Sequence, residues 1–215
     1  MLDSPLPGLH ASPPEPLPFA RSLHIRAFVL ERSGRGNLLV YCSPTVAGVA
    51  PAIEALGGVS RQYLNHWHEA AFGGDGAGAP LVVHADDRDA AEASRHVDET
   101  FSERAVLDDD FELIPTPGHT AGATAFLWDS HEHRLLFTGD SIYIRDGEWV
   151  AAVLEGSSDR AAYVESLELI RELEFDALVP WAASAGEPCF TLTDQAGTRR
   201  RIDAILERLR RGEDH

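Results

Sequence analysis

A short apolar run that leads directly into two histidines is the sequence feature that most constrains this fold. Residues 59–64 have the composition of a buried strand, and His66 and His68 follow its end. Side chains at positions i and i+2 of an extended segment point the same way, so both imidazoles are expected to face one point. Two imidazoles presented together form half of a typical metal site, although the same pattern is common among ordinary surface and core histidines.

The rest of the chain alternates between strand-like and helix-like apolar patterns, which indicates an α/β protein. Residues 73–78 are rich in glycine and are expected to form a surface loop. The order of elements favours two β-rich halves covered by helices on the outside, a four-layer αβ/βα sandwich, among other α/β layouts. Predicted strands cover residues 23–30, 37–42, 59–64, 81–84, 111–114, 123–128, 134–137, 141–144 and 177–180, and predicted helices cover residues 50–56, 86–96, 158–174 and 194–211.

The first twenty residues differ from the others in their proline content. Six prolines stand among residues 1–20, a density that argues against a helix or an inner strand. We therefore predict an extended arm at residues 1–20, which lies on the domain or free in solvent, and a single domain at residues 21–215. The full length of 215 residues and 23.4 kDa suits one α/β domain.

Charge and hydropathy exclude several classes of partner. The formal net charge is -17, with a pI near 4.8, so the chain repels phosphate backbones and anionic lipid surfaces. No apolar run approaches the length that spans a bilayer. We therefore expect a small-molecule substrate and neither nucleic acid nor a membrane as partner. The sequence leaves the oligomeric state open.

Cysteine usage and the first residues predict the compartment. Cys42 and Cys189 are far apart and form no C-x-x-C pair, so two reduced thiols are expected rather than a disulfide. The first residues contain no basic stretch followed by an apolar run, so no secretory signal is expected. Together these features predict a cytoplasmic protein.

Three further segments place candidate functional residues just after predicted strands. In PTPGHT the proline and glycine force a sharp turn, which leaves the ring of His119 free at a strand end. The apolar segment LFTGD ends in Asp140, and VPWAA ends the last predicted strand and carries Ala182. Ligands on separate strand ends, held by turn residues, are how a rigid scaffold preorganises a metal site.

Taken in order, these segments make the chain similar to the metallo-β-lactamase superfamily from residue 22 onward. The superfamily signature is H-x-H-x-D-H, then P-G-H-T, then T-G-D, then a histidine after a proline. His66, His68, His119 and Asp140 match it position by position. The resemblance implies the metallo-β-lactamase fold, which is the four-layer αβ/βα sandwich.

The sequence departs from this signature at three positions that hold the second metal ion in the superfamily. The second-site aspartate and histidine fall on Ala70 and Ala71, and the last histidine falls on Ala182. A methyl group offers no lone pair to a cation. The resemblance therefore implies a degenerate member with at most a mononuclear centre.

The ligands of the first metal position are all present. By resemblance, His66, His68 and His119 form that position, and Asp140 bridges or reaches toward the second one. A His₃ site with an open position lowers the pKa of a bound water toward neutrality. Asp140 is then the predicted catalytic residue, which orients or deprotonates the water. Glu69 is adjacent but is expected to point elsewhere and to be a poor ligand.

Three functional hypotheses follow from this ligand set. The first is a hydrolase with one Zn²⁺ that acts on a small ester, thioester or lactone. The second is a mononuclear Fe²⁺ dioxygenase similar to the persulfide dioxygenases of the same superfamily, which need only the equivalents of His66, His119 and Asp140. The third is a non-catalytic binding module that holds no metal and keeps the histidines as remnants.

The residues that form the walls of the substrate pocket are predicted from their position next to the candidate metal ligands. Loops at residues 72–80 and 144–156 are expected to form its walls. Trp67, Tyr143 and Trp181 stand beside signature residues, so they are candidates either to line the pocket or to pack in the core.

Overall fold

The structure is a computed structural model that describes residues 1–73 and 77–213. The glycine-rich loop predicted at residues 73–78 falls partly outside these ranges. Within them the strands are, in chain order, β1 (Asp3–Leu6), β2 (Leu9–Ala11), β3 (Glu15–Leu17), β4 (Ala20–Ile25), β5 (Phe28–Leu30), β6 (Leu38–Val40), β7 (Arg61–Tyr63), β8 (Leu81–His84), β9 (Glu99–Phe101), β10 (Ala105–Leu107), β11 (Phe111–Pro115), β12 (Thr124–Asp129), β13 (Arg134–Gly139), β14 (Tyr143–Arg145), β15 (Glu148–Val150), β16 (Ala177–Pro180), β17 (Ala182–Ser184) and β18 (Thr191–Leu192). The helices are α1 (Val46–Ala55), α2 (Arg88–Glu92), α3 (Arg160–Glu172) and α4 (Gln195–Arg210), with 3₁₀ turns at Trp67–Phe72 and Ala85–Asp87.

Two large sheets and one smaller sheet organise these strands. The first sheet has the order β1-β2-β5-β6-β7-β8-β9, and the second has the order β10-β11-β12-β13-β16-β18. The smaller sheet has the order β15-β14-β17-β4-β3. Parallel pairing joins β6 to β7 and β13 to β16, so the carboxyl ends of each pair meet at one edge of their sheet. The segments that follow β7, β11, β13 and β16 carry the signature positions.

The central core lies between the two large sheets, and helices cover their outer faces. In β12, Phe126 and Trp128 pack in the central core, whereas Ala125 and Leu127 pack with α3 and α4. On the outer face of the first sheet, Leu39 packs with α1. Burial of both faces explains why these strands read as continuous apolar runs. The layers are helix, sheet, sheet and helix, which confirms the predicted four-layer sandwich.

Aspartates set the start of the two long helices. Asp159 accepts hydrogen bonds from two backbone amides in the first turn of α3, at 2.9 and 3.1 Å, and Asp194 accepts one in α4 at 2.7 Å. The helices predicted at residues 158–174 and 194–211 are confirmed to within two residues at each end. The helix predicted at residues 86–96 is too long, because the 3₁₀ turn gives way to an α2 of only five residues.

Residues 1–20 are built into the sheets, which corrects the prediction that they form an extended arm. Strand β2 lies between β1 and β5, and its Leu9 and Ala11 are fully buried. Pro5 and Pro16 occupy β1 and β3, which are edge strands, where proline is tolerated. The prolines correctly exclude a helix, but they do not exclude an inner strand, because β2 contains none.

Two further findings concern the thiols and the membrane. Cys42 and Cys189 are both free, the first buried and the second half-buried. Among the helices of the described ranges, none has both the length and the apolar composition needed to cross a lipid bilayer.

Candidate metal centre

The histidines of the first segment reach the site from two different backbone conformations. His66 is extended (φ -155°, ψ 161°) and caps the 3₁₀ turn Trp67–Phe72, which contains His68. The prediction that alternation along an extended segment aligns the two rings is therefore wrong. Both rings nevertheless reach the same place, with their centroids 5.1 Å apart.

His119 completes a group of three imidazoles. It lies in the loop between β11 and β12, and its Nε2 is 3.1 Å from Nδ1 of His68. One nitrogen from each of His66, His68 and His119 lies within 4.8 Å of the other two. Nitrogens bound tetrahedrally to zinc at about 2.0–2.1 Å lie roughly 3.3–3.4 Å from one another. The three nitrogens are therefore close to the positions that one ion requires.

The buried Nε2 atom of His66 tests whether a metal fits this group. His66 is 1% exposed, and this nitrogen has no hydrogen-bond partner among the described residues. Oδ2 of Asp140 lies 3.5 Å away, at the outer limit of a hydrogen bond. A buried polar atom without a partner is costly in free energy, and a cation would use its lone pair. The His₃ set fits one zinc ion with a position left open.

His119 is oriented through its other ring nitrogen. Its Nδ1 donates a hydrogen bond to the carbonyl oxygen of Ala152 at 2.6 Å, which leaves the Nε2 lone pair facing the other imidazoles. The preceding Gly118 has a φ of +141°, and a Cβ there would lie 2.4 Å from Cα of Tyr163. Glycine in the PGHT segment therefore lets the loop pack closely on the start of α3.

Asp140 stands just past β13 and faces the same group. Its Oδ2 lies 3.5 Å from Nε2 of His66 and 3.8 Å from Nε2 of His119, and its side chain is 20% exposed. The preceding Gly139 has a φ of +55°, and a Cβ there would lie 2.0 Å from Oδ1 of Asn65. Both the backbone conformation and this close approach require glycine in the TGD segment.

Ala70, Ala71 and Ala182 stand where the superfamily signature has donors to a second metal ion, and their methyl groups cannot bind one. Ala70 is 2% exposed and packs in an apolar cluster with Cys42 and Leu64. Ala71 and Ala182 line a cavity beside Asp140. Of the signature donors to the second position, only the carboxylate remains. Among the described residues, His66, His68 and His119 are the one group of three or more side chains that could hold a metal ion.

Glu69, expected from the sequence only to be a poor ligand, has a structural role. Its carboxylate is fully buried and accepts hydrogen bonds from the backbone amides of Cys42, Asn65 and His66 at 3.1, 2.8 and 3.4 Å. Its Oε1 also lies 3.2 Å from Nδ1 of His66. Glu69 stands outside the three-histidine group and orients one member of it. The glutamate three residues after His66 has capping-box spacing, which was the available signal.

Asp87 joins the two histidine segments, and no sequence pattern pointed to it. Its carboxylate accepts hydrogen bonds from the backbone amide of Trp67 at 2.9 Å, from Oγ1 of Thr120 at 2.7 Å and from the backbone amide of Gly122 at 2.8 Å. Asp87 is 2% exposed. It therefore fixes the segment of His66 and His68 against the loop of His119.

Burial and charge keep two of the imidazoles neutral. Burial lowers the pKa of His68 to about 3 and that of His119 to about 4, and the charge of His66 acts in the same direction. Burial also acts to lower the pKa of His66, but its contacts with Asp140 and Glu69 outweigh this and raise the pKa to about 10. Without a metal, His66 therefore holds a proton between two carboxylates, and a dication at Nε2 would replace it.

An apolar cavity of about 320 Å³ opens on His68 and Asp140. Residues predicted to belong to the N-terminal arm form one of its walls, through the β3–β4 hairpin. The three aromatic residues that the sequence marked as pocket candidates also line it. The lining includes Leu17 and Phe19 from the predicted arm, Leu23 from β4, and the aromatic residues Trp67, Tyr143 and Trp181.

Comparison with known proteins gives a consistent result. The family model described as the metallo-beta-lactamase superfamily matches residues 47–182. The chain is similar to the structure of DIM-1 metallo-beta-lactamase exposed to ceftazidime, with 13% identity, 96% of each chain covered and a TM-score of 0.72. It is also similar to BJP-1, a subclass B3 metallo-beta-lactamase of Bradyrhizobium japonicum, with 16% identity, 95% of this chain and 90% of that chain covered and a TM-score of 0.64.

A third similar structure is the metallo-beta-lactamase GOB-18 from Elizabethkingia meningoseptica, with 16% identity, 92% of this chain and 90% of that chain covered and a TM-score of 0.58. The comparison with curated proteins found no match. At these identities the structural likeness shows the fold alone. The resemblance read from the signature segments, and the fold predicted from it, are confirmed.

Proposed function

This chain belongs to the metallo-β-lactamase superfamily, and from that premise we propose that it is a hydrolase that uses one zinc ion on a small ester, thioester or lactone. The observation that carries the proposal is the buried Nε2 of His66, which lies among three convergent imidazoles and, within the described residues, has no hydrogen bond and only Oδ2 of Asp140 nearby at 3.5 Å. The alanines at the second position support one ion rather than two. The adjoining cavity, about 320 Å³, suits a small ligand.

In the proposed reaction the three histidines bind the metal ion, and other residues orient them or take part in the chemistry. When bound, zinc supplies a Lewis acid that polarises a carbonyl and lowers the pKa of a water molecule. His66, His68 and His119 would hold the ion, and a His₃ set leaves one position of a tetrahedral ion free. The carbonyl oxygen of Ala152 accepts a hydrogen bond from His119, and Oδ1 of Asn65 and Oε1 of Glu69 both lie 3.2 Å from Nδ1 of His66, so two of these rings keep fixed orientations.

Asp140 is the proposed proton acceptor. Its Oδ2 lies beside the Nε2 atoms of His66 and His119, and the residue lines the cavity. In the proposed reaction Oδ2 orients the attacking water and takes its proton. Such help is typically worth about 10²–10⁴-fold in rate. The aromatic walls of the cavity would hold the acyl group and exclude bulk water.

A second candidate function is the mononuclear Fe²⁺ dioxygenase. The observation that favours it is that Oδ2 of Asp140 lies within 3.8 Å of Nε2 in both His66 and His119, as a 2-His-1-carboxylate set requires. Nδ1 of His68 also points into the group, 3.1 Å from Nε2 of His119. A site formed by His66, His119 and Asp140 would leave this nitrogen without a role. We therefore rank the zinc hydrolase first.

The test is hydrolysis of 4-nitrophenyl acetate, S-phenyl thioacetate and γ-butyrolactone before and after one equivalent of zinc is added. We expect zinc-dependent hydrolysis of at least one of them. Asp140→Asn should lower the rate by roughly 10²-fold or more while zinc content is retained. His119→Ala should lose both zinc and activity.

Three results would contradict the hydrolase proposal. The first is zinc binding with no hydrolysis above the His119→Ala background. The second is bound iron with oxygen uptake on a persulfide, which would support the dioxygenase. The third is the absence of any bound metal, which would support a non-catalytic binding module.

A further inference from the structure

The walls of the cavity beside the imidazoles carry no arginine or lysine among the described residues. The chain contains 18 arginines and no lysine. None of those arginines is among the described residues that line the cavity. The acidic side chain that lines it is Asp140, and most of the other lining residues are apolar. Away from the metal position, a ligand that enters the cavity therefore contacts apolar walls and one carboxyl group.

Apolar surface continues from the cavity to the solvent. Phe19 and Leu154 both line it, and they are 77% and 40% exposed, respectively. Phe19 also contacts Phe72, another lining residue, with ring centroids 6.0 Å apart. An apolar group on a ligand would cover these side chains and remove them from water.

From these observations we propose that the walls of the cavity select uncharged, apolar groups and reject a ligand whose carboxylate lies away from the metal position. A carboxylate placed against these walls would lose its hydration without gaining a cationic side chain, and it would face the carboxyl group of Asp140. The formal net charge of -17 adds repulsion at longer range. This proposal rests on the proposed function only in taking the ligand of the cavity to be the substrate.

The test uses two ketones that differ in one terminal group. Hexanophenone is uncharged, and 6-oxo-6-phenylhexanoate replaces its terminal methyl group with a carboxylate. Binding is measured by quenching of tryptophan fluorescence, because Trp67 and Trp181 line the cavity, and by calorimetry. Excess acetate is present in every sample, so that any carboxylate position on a bound metal is already filled. We expect hexanophenone to bind roughly tenfold or more tightly than the acid.

A matched pair of variants assigns this preference to the cavity. Leu154→Arg places a guanidinium at the cavity mouth, at a side chain already 40% exposed. Leu192→Arg makes the same change of charge on β18, at a side chain that is 58% exposed and outside this cavity. We expect Leu154→Arg to reduce the preference for the uncharged ketone severalfold and Leu192→Arg to leave it unchanged.

Three results would overturn the proposal: equal or tighter binding of the acid by the unmodified chain, no detectable binding of hexanophenone, or the same shift in both variants. The measurement detects binding and not turnover. If the preference is found but esters are not hydrolysed, only the hydrolase proposal fails. If esters are hydrolysed but the acid is preferred, only the ligand proposal fails.

Discussion

Replacement of Glu69 with glutamine should weaken metal binding much more than it disturbs the fold. The carboxylate uses both oxygens: Oε2 accepts from the amide of Cys42, and Oε1 accepts from the amides of Asn65 and His66. Oε1 also lies 3.2 Å from Nδ1 of His66. Glutamine supplies one accepting oxygen, so whichever way the amide is turned, its NH₂ group faces a donor.

The expected magnitudes follow from these contacts. One buried amide left without an acceptor should lower the free energy of unfolding by roughly 1–3 kcal/mol. Loss of the carboxylate behind a ligating imidazole typically weakens metal affinity by about 10–100-fold, which is roughly 1.4–2.7 kcal/mol. We therefore expect Glu69→Gln to raise the zinc Kd by about 10–100-fold in a protein that remains folded.

The assay is competition for zinc with a chromophoric chelator, at a temperature where circular dichroism shows the variant to be folded. The Co²⁺ absorption spectrum provides a second readout, because it depends on ligand orientation. Glu165→Gln is the matched control, since Glu165 lies on α3 with an exposed side chain. A zinc Kd within twofold of the unmodified chain, with stability reduced, would mean that Glu69 supports the fold and does not position His66.

Three other perturbations test separate parts of the account. Ala71→His together with Ala182→His should raise zinc stoichiometry from about one to about two per chain, because both positions line the cavity beside the remaining carboxylate; a value that stays at one by elemental analysis would refute this. Gly139→Ala should lower the urea midpoint by the equivalent of about 2–3 kcal/mol, because φ is +55° and the new Cβ would lie 2.0 Å from a buried side-chain oxygen; an unchanged midpoint would contradict the geometry. Asp110→Asn should cost roughly 1–3 kcal/mol at neutral pH, because it removes one of the two carboxylates that pair with the buried Arg32 and leaves the more exposed Asp108. Burial raises the pKa of Asp110, but its bonds to Arg32 lower it further, so this stabilisation is present above about pH 4 and is lost as the pH falls through the folded-state pKa. Urea titrations of both proteins from neutral to acidic pH should therefore converge, and a constant difference would count against the ion pair.

The parts of the fold that could be predicted from the sequence are those in which the local pattern of apolar residues matches the faces that the structure buries. Residues 125–128 of β12 are all apolar because both faces of the strand are covered, and the long helices carry apolar stripes with an aspartate at the start. The turn-forming residues of PTPGHT and LFTGD likewise predicted where His119 and Asp140 would stand. These features are encoded within a few consecutive residues.

Features that depend on distant partners could not be read in the same way. Strand β2 is an inner strand because it pairs with β1 and β5. The prolines on either side of it had argued against an inner strand in this part of the chain. Asp87 functions through contacts with residues twenty or more positions away. The 3₁₀ turn that places His68 could be anticipated only by recognising His66 and Glu69 as a helix cap. Pairing and register at long range, rather than composition, decide these features.

Metal content tests the central claim, a complete mononuclear centre beside an emptied second position, most directly. Elemental analysis is made on the protein as purified and after incubation with excess zinc and iron, beside a His66→Ala/His119→Ala variant. We expect about one zinc per chain, lost in the double variant. No bound metal under any of these conditions, or the same metal content in the double variant, would contradict it.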